Sequence, residues 1–344
     1  MGVVKPSKRS LSSDPTRIEK VELHQHVDGS IPVPLIWQLM KRHGLNPVET
    51  MTQMERLLTL QKQEEGTLLR YLDKFHYPLW ITQFYENITR VVEAIVEEAY
   101  QNHVRLLELR YSPIIHTYAG LTLRQTISAA LSGINRAKAR YPIQAGLIVI
   151  AMRQHGPHIA KILARSAVSE SQQFHERTGV IGFDVAGAER GNPPRLFKEA
   201  YTIARIGGLG ATIHAGEDEG PHAIWQAIDE LGVTRIGHGC SAVQDKVLLK
   251  RLARDKILIE CCITSNYQTG AVKRGRPHPI FTFLEQDIPV AICTDNTTVS
   301  GTDQNRENKR LVQRLSLPQL VSIHRNARAY SFIQPGIRAR KSNA

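Results

Sequence analysis

No apolar run in the 344-residue chain is long enough to cross a bilayer, and the first twenty residues lack the apolar core of a secretory signal. They carry Lys5, Lys8, Arg9, Arg17 and Lys20 instead. A cytoplasmic protein with no membrane partner is predicted. Met1-Gly2 does not read as a myristoylation site, because Pro6 stands where that motif has Ser or Thr. Cysteine is scarce: Cys240, Cys261, Cys262 and Cys293 form no Cys-x-x-Cys pair. This excludes a zinc site of the His-x-Glu and Pro-Cys-x-x-Cys kind and leaves four reduced core thiols. Aromatic residues, at 6%, do not interleave with basic ones as base-stacking platforms do. The net charge of +12 is spread along the chain and gathered at its tails, with Arg338, Arg340 and Lys341 near the end. It therefore predicts a solvated surface and no nucleic-acid partner.

What is present fits one large enzyme domain. At 42% hydrophobic and 22% charged residues, the composition suits a single core over residues 18–332, between a poorly ordered tail at 1–17 and a basic tail at 333–344. Short apolar strands are predicted at 21–26, 104–111, 144–151, 180–186, 211–214, 235–238, 257–263 and 290–294, alternating with amphipathic helices. Residues 35–103 read as helical with a polar break near 61–66. That is long for one crossover, and predicts a barrel helix plus an inserted helical hairpin, at about 57–80, that roofs a pocket. Eight strands alternating with helices predict a closed parallel (β/α)8 TIM barrel, with an open doubly wound sheet as the alternative.

Closure is preferred because it gathers the chemistry. Thr212-Ile213-His214-Ala215-Gly216-Glu217 ends a strand with an imidazole and, three residues on, a carboxylate. On the first strand His24 and His26 project from one side about 6.6 Å apart, a separation two imidazoles close by leaning onto one ion; Asp28 lies one step further. His238 sits between glycines at the sixth strand end, and Cys293-Thr294-Asp295-Asn296 brings a carboxylate and an amide to the eighth. Three neutral His and one Asp suit Zn²⁺ with an open position for water. No Lys occurs in Gly182-Phe183-Asp184-Val185-Ala186-Gly187, which disfavours a two-metal site bridged by a carbamylated lysine and predicts one metal per chain.

The motifs His24-Gln25-His26-Val27-Asp28-Gly29, Asp184-Val185-Ala186-Gly187, His214-Ala215-Gly216-Glu217, Arg235-Ile236-Gly237-His238-Gly239, Thr264-Ser265-Asn266, His278-Pro279 and Thr294-Asp295 together resemble the adenosine deaminase family, in order along nearly the whole chain. The resemblance implies a zinc-dependent (β/α)8 enzyme that converts a purine nucleoside to its inosine-like product. It implies that His24, His26, His214 and Asp295 hold Zn²⁺ and that the water this ion activates attacks purine C6. Glu217 passes a proton to N1, and His238 orients the water and stabilises or receives its proton. His26, Asp28, Gly187 and Asn296 meet the substrate, with the Gly187 N–H at N3 and Asp28 at a ribose hydroxyl. Ser265, Asn266, Asp184 and His278 support these groups.

One departure stands out. The commonest family motif continues the zinc-binding Asp with a second Asp and Pro, whereas this chain has Asn296 and Thr297. By the resemblance that position meets purine N7, where an Asn amide donates without first needing a proton. Adenosine is the expected substrate. The same chemistry on adenine or aminofutalosine is the alternative, and a non-catalytic nucleoside- or nucleic-acid-binding protein is the reading that the full ligand set and Glu217 argue against.

Overall fold

The computed structural model describes residues 14–173 and 179–333. Most of the two expected tails, Arg338, Arg340 and Lys341 among them, lies outside the described residues. Residues 14–17 form a turn in which Thr16 donates from its backbone N–H and its hydroxyl to Asp14 Oδ1, at 2.9 and 2.8 Å.

Eight parallel strands run in chain order: β1 (Lys20–His26), β2 (Val104–Tyr111), β3 (Gln144–Met152), β4 (Val180–Ala186), β5 (Gly210–Ala215), β6 (Arg235–His238), β7 (Leu258–Cys261) and β8 (Val290–Ile292). The ring closes where the first and last strands meet. Gln25 bridges Asp295, the His26 N–H donates to Asp295 O at 2.7 Å, and the Asp295 N–H donates to His24 O at 2.9 Å. The architecture is the expected barrel with intervening helices. β7 and β8 are shorter than the apolar runs that predicted them, because Ile263 already opens a helix (Ile263–Gln268) and residues after Ile292 turn into the site. An apolar run alone does not separate strand from buried helix.

Alternation on the strands sorts the core into two layers. On β2, Leu107 and Leu109 face outward into a shell with Ile88, Val92 and Ile95 of the preceding helix. Glu108 and Arg110 instead enter a charged barrel interior. Arg110 donates to Asp184 at 2.5 Å and to Glu260, while Arg235 donates to Glu260 at 2.7 Å and Glu108 at 2.6 Å. All five side chains are fully buried. Buried charges persist only where they are paired and hydrogen-bonded in this way, and removing one partner strands the rest. Below this layer the Phe332 ring closes the barrel, 4.1 Å beneath the Arg235 guanidinium and so close to Gly210 that a Cβ there would meet the ring at 2.2 Å.

The expected helical insertion after the first strand is present, but in place of a hairpin at 57–80 it is a run of short helices. It comprises α1 (Val33–His43), α2 (Met51–Leu58), α3 (Leu68–Leu72) and α4 (His76–Ile81), after which α5 (Tyr85–Gln101) returns the chain to β2. Gly44 ends α1 in the left-handed region at φ +66°, a capping box of Thr50 and Gln53 starts α2, and Thr67 caps α3. The insertion is pinned over the barrel mouth: Leu60 N donates to Val299 O at 2.8 Å, Gly66 N to Gln268 O at 2.7 Å, and the Tyr71 hydroxyl lies 2.7 Å from Ser300 Oγ. Among the described residues no helix is long and apolar enough to cross a membrane.

Candidate active site

The C-terminal ends of β1, β5, β6 and β8 converge at the barrel mouth. The Nε2 atoms of His24, His26 and His214 form a triangle with every side 3.1 Å. Asp295 Oδ1 stands 3.3 Å from His26 Nε2 and 3.7 Å from His24 Nε2. Ligands about 2.0 Å from a tetrahedral ion are separated by roughly 3.3 Å, so these four atoms match such an ion's coordination shell.

Hydrogen bonding decides whether the nitrogens offer lone pairs. His24 Nδ1–H donates to Glu260 at 2.9 Å and His214 Nδ1–H to Asp184 at 3.0 Å, which leaves both Nε2 atoms bare. Burial, with the nearby Arg110 and neighbouring imidazoles, holds His24 far below its ordinary pKa, hence neutral; burial, His214 and Arg110 do the same for His26. Burial would push the Asp184 carboxyl up, but His214 and Arg110 hold it well below the usual range, as an anion that accepts from His214. Burial raises Asp295 to about 6, a cost that a bound cation offsets.

His238 is a rival ligand, since its nitrogen falls within 4.8 Å of the ligating atoms of His24, His214 and Asp295. Its tautomer argues otherwise. The Ile280 backbone N–H, which can only donate, points at His278 Nδ1 at 3.1 Å, so the His278 proton is on Nε2 and meets Asn266 Oδ1 at 3.1 Å. That fixes the Asn266 amide with Nδ2 donating to His238 Nδ1 at 2.9 Å. His238 therefore carries its hydrogen on Nε2, facing Glu217 Oε2 at 3.4 Å, and presents a donor where a ligand needs a lone pair. Gaining a second proton is opposed by the Asn266 donor and by burial, with the nearby His214 and His26 adding to it. His238 thus presents a donor toward the cavity.

Glu217 lies beside this group with its side chain 8% exposed. The Thr269 hydroxyl donates to Oε1 at 3.0 Å. Burial pushes the Glu217 carboxyl well above its ordinary range, and the charges of Asp295 and Glu189 add to the effect. Ser265 donates to Asp295 Oδ2 at 2.5 Å, and Asn296 Nδ2 to Asp295 Oδ1 at 2.7 Å, which commits one amide hydrogen of Asn296 and leaves the second. His238 and Asp295 hold φ near +65° and +63°, a left-handed conformation that costs non-glycine residues of order 1–3 kcal/mol and is kept where the surroundings over-determine it.

A cavity of about 280 Å³ opens onto these groups and is also lined by Asp28, Gly187 and Asn296, so all nine candidate residues border it or hold its floor. Its outer wall is the insertion: Leu68, Tyr71, Leu72, Phe75 and Leu79. Arg110, Glu260, Thr269 and Glu189 were not evident in the sequence motifs. For Glu260 the available signal was a charged residue inside an otherwise apolar strand, and for Arg110 a charge alternating with leucines on β2; for Thr269 and Glu189 there was none.

Fold and site define a metal-dependent hydrolase built on a parallel barrel. The family model described as adenosine deaminase matches residues 19–340. The chain is 35% identical to the adenosine deaminase of Clostridium kluyveri over 86% of its own length and 84% of that protein's. It is 34% identical to a probable adenosine deaminase of Dictyostelium discoideum over 93% of its length, spanning 41% of that longer protein. Among solved structures, an adenine deaminase from Arthrobacter aurescens superposes with a TM-score of 0.84 at 25% identity, over 93% of this chain and 95% of that one. The chain belongs to the adenosine deaminase family. It is a hydrolytic aminohydrolase acting on a purine compound.

Proposed function

We propose that the protein is a mononuclear zinc enzyme that hydrolyses adenosine, and 2'-deoxyadenosine, to the inosine product and ammonia. The observation that carries this reading is the buried Glu217 carboxyl facing the same cavity as the His24, His26 and His214 triangle. When bound, Zn²⁺ supplies Lewis-acid charge that makes water a nucleophile near neutral pH. His24, His26, His214 and Asp295 hold the ion, and Asp184 and Glu260 keep the imidazoles of His214 and His24 aimed. Glu217 delivers its proton to purine N1 as the ring accepts the attacking oxygen at C6; the C6–N6 bond then breaks, and the amine leaves as ammonia with a proton given up by that oxygen. The His238 Nε2–H stabilises the negative charge that develops on that oxygen. Gly187 N–H and Asn296 Nδ2 hold the ring edge at N3 and N7.

The nucleoside is favoured over a nucleotide because, among the described residues, no Lys or Arg lines the cavity to pair a 5'-phosphate. It is favoured over the free base because Ser112 Oγ and His155 Nδ1, buried without protein partners, stand with Asp28 where sugar hydroxyls can satisfy them. A cytoplasmic setting belongs to the same reading, supported by four buried cysteines in the free thiol form. The test is metal analysis together with initial rates on adenosine, adenine, aminofutalosine and AMP, followed by ultraviolet absorbance. One equivalent of zinc and a highest kcat/KM for adenosine are expected. Adenine or aminofutalosine as the best substrate overturns the sugar assignment, and two metal equivalents overturn the mononuclear site.

A further inference from the structure

The backbone that presents Glu217 is held by a carboxylate outside the cavity. Glu189, 4% exposed in the loop after β4, accepts three consecutive N–H groups from the loop after β5: Gly216 on Oε2 at 2.9 Å, and Glu217 and Asp218 on Oε1 at 2.8 and 3.0 Å. Gly216 lies at φ +75°, and a Cβ there would come within 2.6 Å of Ile224 and Ser241, so only glycine allows the turn that aims these donors at one point. Successive N–H groups arranged this way form a concave anion nest. Here the anion belongs to the chain itself.

A second buried group locks the other side. Arg153 donates to His214 O at 2.6 Å and to Asn192 O at 2.5 Å, and the Asn192 N–H donates to Glu189 O at 2.9 Å. The carbonyl of His214 and the amides of residues 216–218 are thus tied to the same neighbouring loop. Glu189 neither lines the cavity nor contacts the ligating atoms, so no chemical step consumes it.

We propose that Glu189 is the positioning residue of Glu217, fixing through its three amide bonds the place from which the Glu217 carboxyl reaches the purine ring. Misplacing a reacting group by about 1 Å costs on the order of 10²-fold in rate, and a loop held only at its ends has that latitude. The negative charge of Glu189 also adds to the burial that raises the Glu217 carboxyl above its ordinary range. The proposal rests on Glu217 as the proton carrier, and the experiment separates the two.

Glu189→Gln keeps the shape but turns one acceptor into an amide that faces an N–H donor. It should lower kcat by about 10- to 100-fold while KM stays within about threefold and zinc stays at one equivalent. Introduced into Glu217→Gln, the same substitution should change kcat by less than about twofold, because a residue that acts through Glu217 has nothing left to position. A general loop staple would cost the same in both backgrounds, and that result overturns the proposal, as does full turnover in the single variant or loss of zinc. If Glu217→Gln itself retains turnover, the proton-carrier reading falls and takes this one with it, a pattern distinct from the others. Should Glu189→Gln fail to fold, Glu189→Ala assayed with added formate answers the same question: recovery of kcat as formate fills the nest supports the assignment, and no recovery in folded, zinc-loaded protein refutes it.

Discussion

Replacing Asn266 by Asp tests the hydrogen-bond relay that sets the His238 tautomer. The two side chains have the same shape, and the carboxylate still accepts from His278 Nε2, 3.1 Å away. What changes is the 2.9 Å contact with His238 Nδ1, where a donor becomes an acceptor. Two lone pairs at that distance repel, and the strain is relieved when the His238 hydrogen moves from Nε2 to Nδ1. His238 then turns a bare nitrogen toward the cavity, and the donor that stabilises the attacked oxygen is gone. Loss of one preorganised donor of this kind costs about 2.7–4 kcal/mol, or roughly 10² to 10³ in kcat. Because the charge it meets develops in the transition state, KM should move little. Steady-state kinetics on Asn266→Asp, with zinc content and thermal midpoint measured alongside, decide the matter. A folded, zinc-loaded variant with kcat within about threefold of wild type would refute the tautomer assignment and return His238 to the list of possible bases.

Other perturbations probe the remaining groups. Glu217→Gln should fold and keep its zinc but lose about 10² to 10⁴ in turnover, read from kcat at constant metal content. Since burial raises the Glu217 pKa, its proton is present at lower pH and lost as pH rises, so wild-type kcat/KM should show an alkaline limb that Glu217→Gln lacks. For Asn296, 7-deazaadenosine should be a poorer substrate by about 1–3 kcal/mol of transition-state stabilisation. Asn296→Asp should stay active with an added alkaline loss, because its carboxyl donates to N7 only while protonated; equal kcat/KM for adenosine and the deaza analogue removes Asn296 from N7. Arg110→Met takes the Arg110 guanidinium from the buried Asp184 and leaves Glu260 with Arg235 alone of its two arginines, and should destabilise the fold by about 3–5 kcal/mol. It should also weaken zinc binding by about 10- to 100-fold in chelator competition, and unchanged metal affinity would sever the link from this ion network to the ligands.

The strands and the metal-facing residues were legible because each carries a local signal. β4 and β6 lie where the apolar pattern put them, and His24, His26, His214, His238 and Asp295 all follow such runs. The supporting groups were not, because their meaning depends on register across the barrel. Arg110 is one of three charges on β2, beside Arg105 and Glu108, until Asp184 and Glu260 arrive from β4 and β7. Thr269 reads as a polar residue after a short helix until its hydroxyl reaches Glu217. The tautomer of His238 was out of reach for the same reason, as it is set by a backbone N–H forty-two positions further along the chain, at Ile280.

The seam of the barrel has a consequence in time. His24 and His26 are synthesised about 270 residues before Asp295, yet their backbones interlock as neighbours. A chain emerging from the ribosome folds its early parts while the late ones are still missing, and contacts between distant segments form last. No partial product of translation can therefore assemble the full ligand set, however well its first strands have formed. Catalysis switches on only when the eighth strand docks against the first, which makes activity a readout of the closed seam.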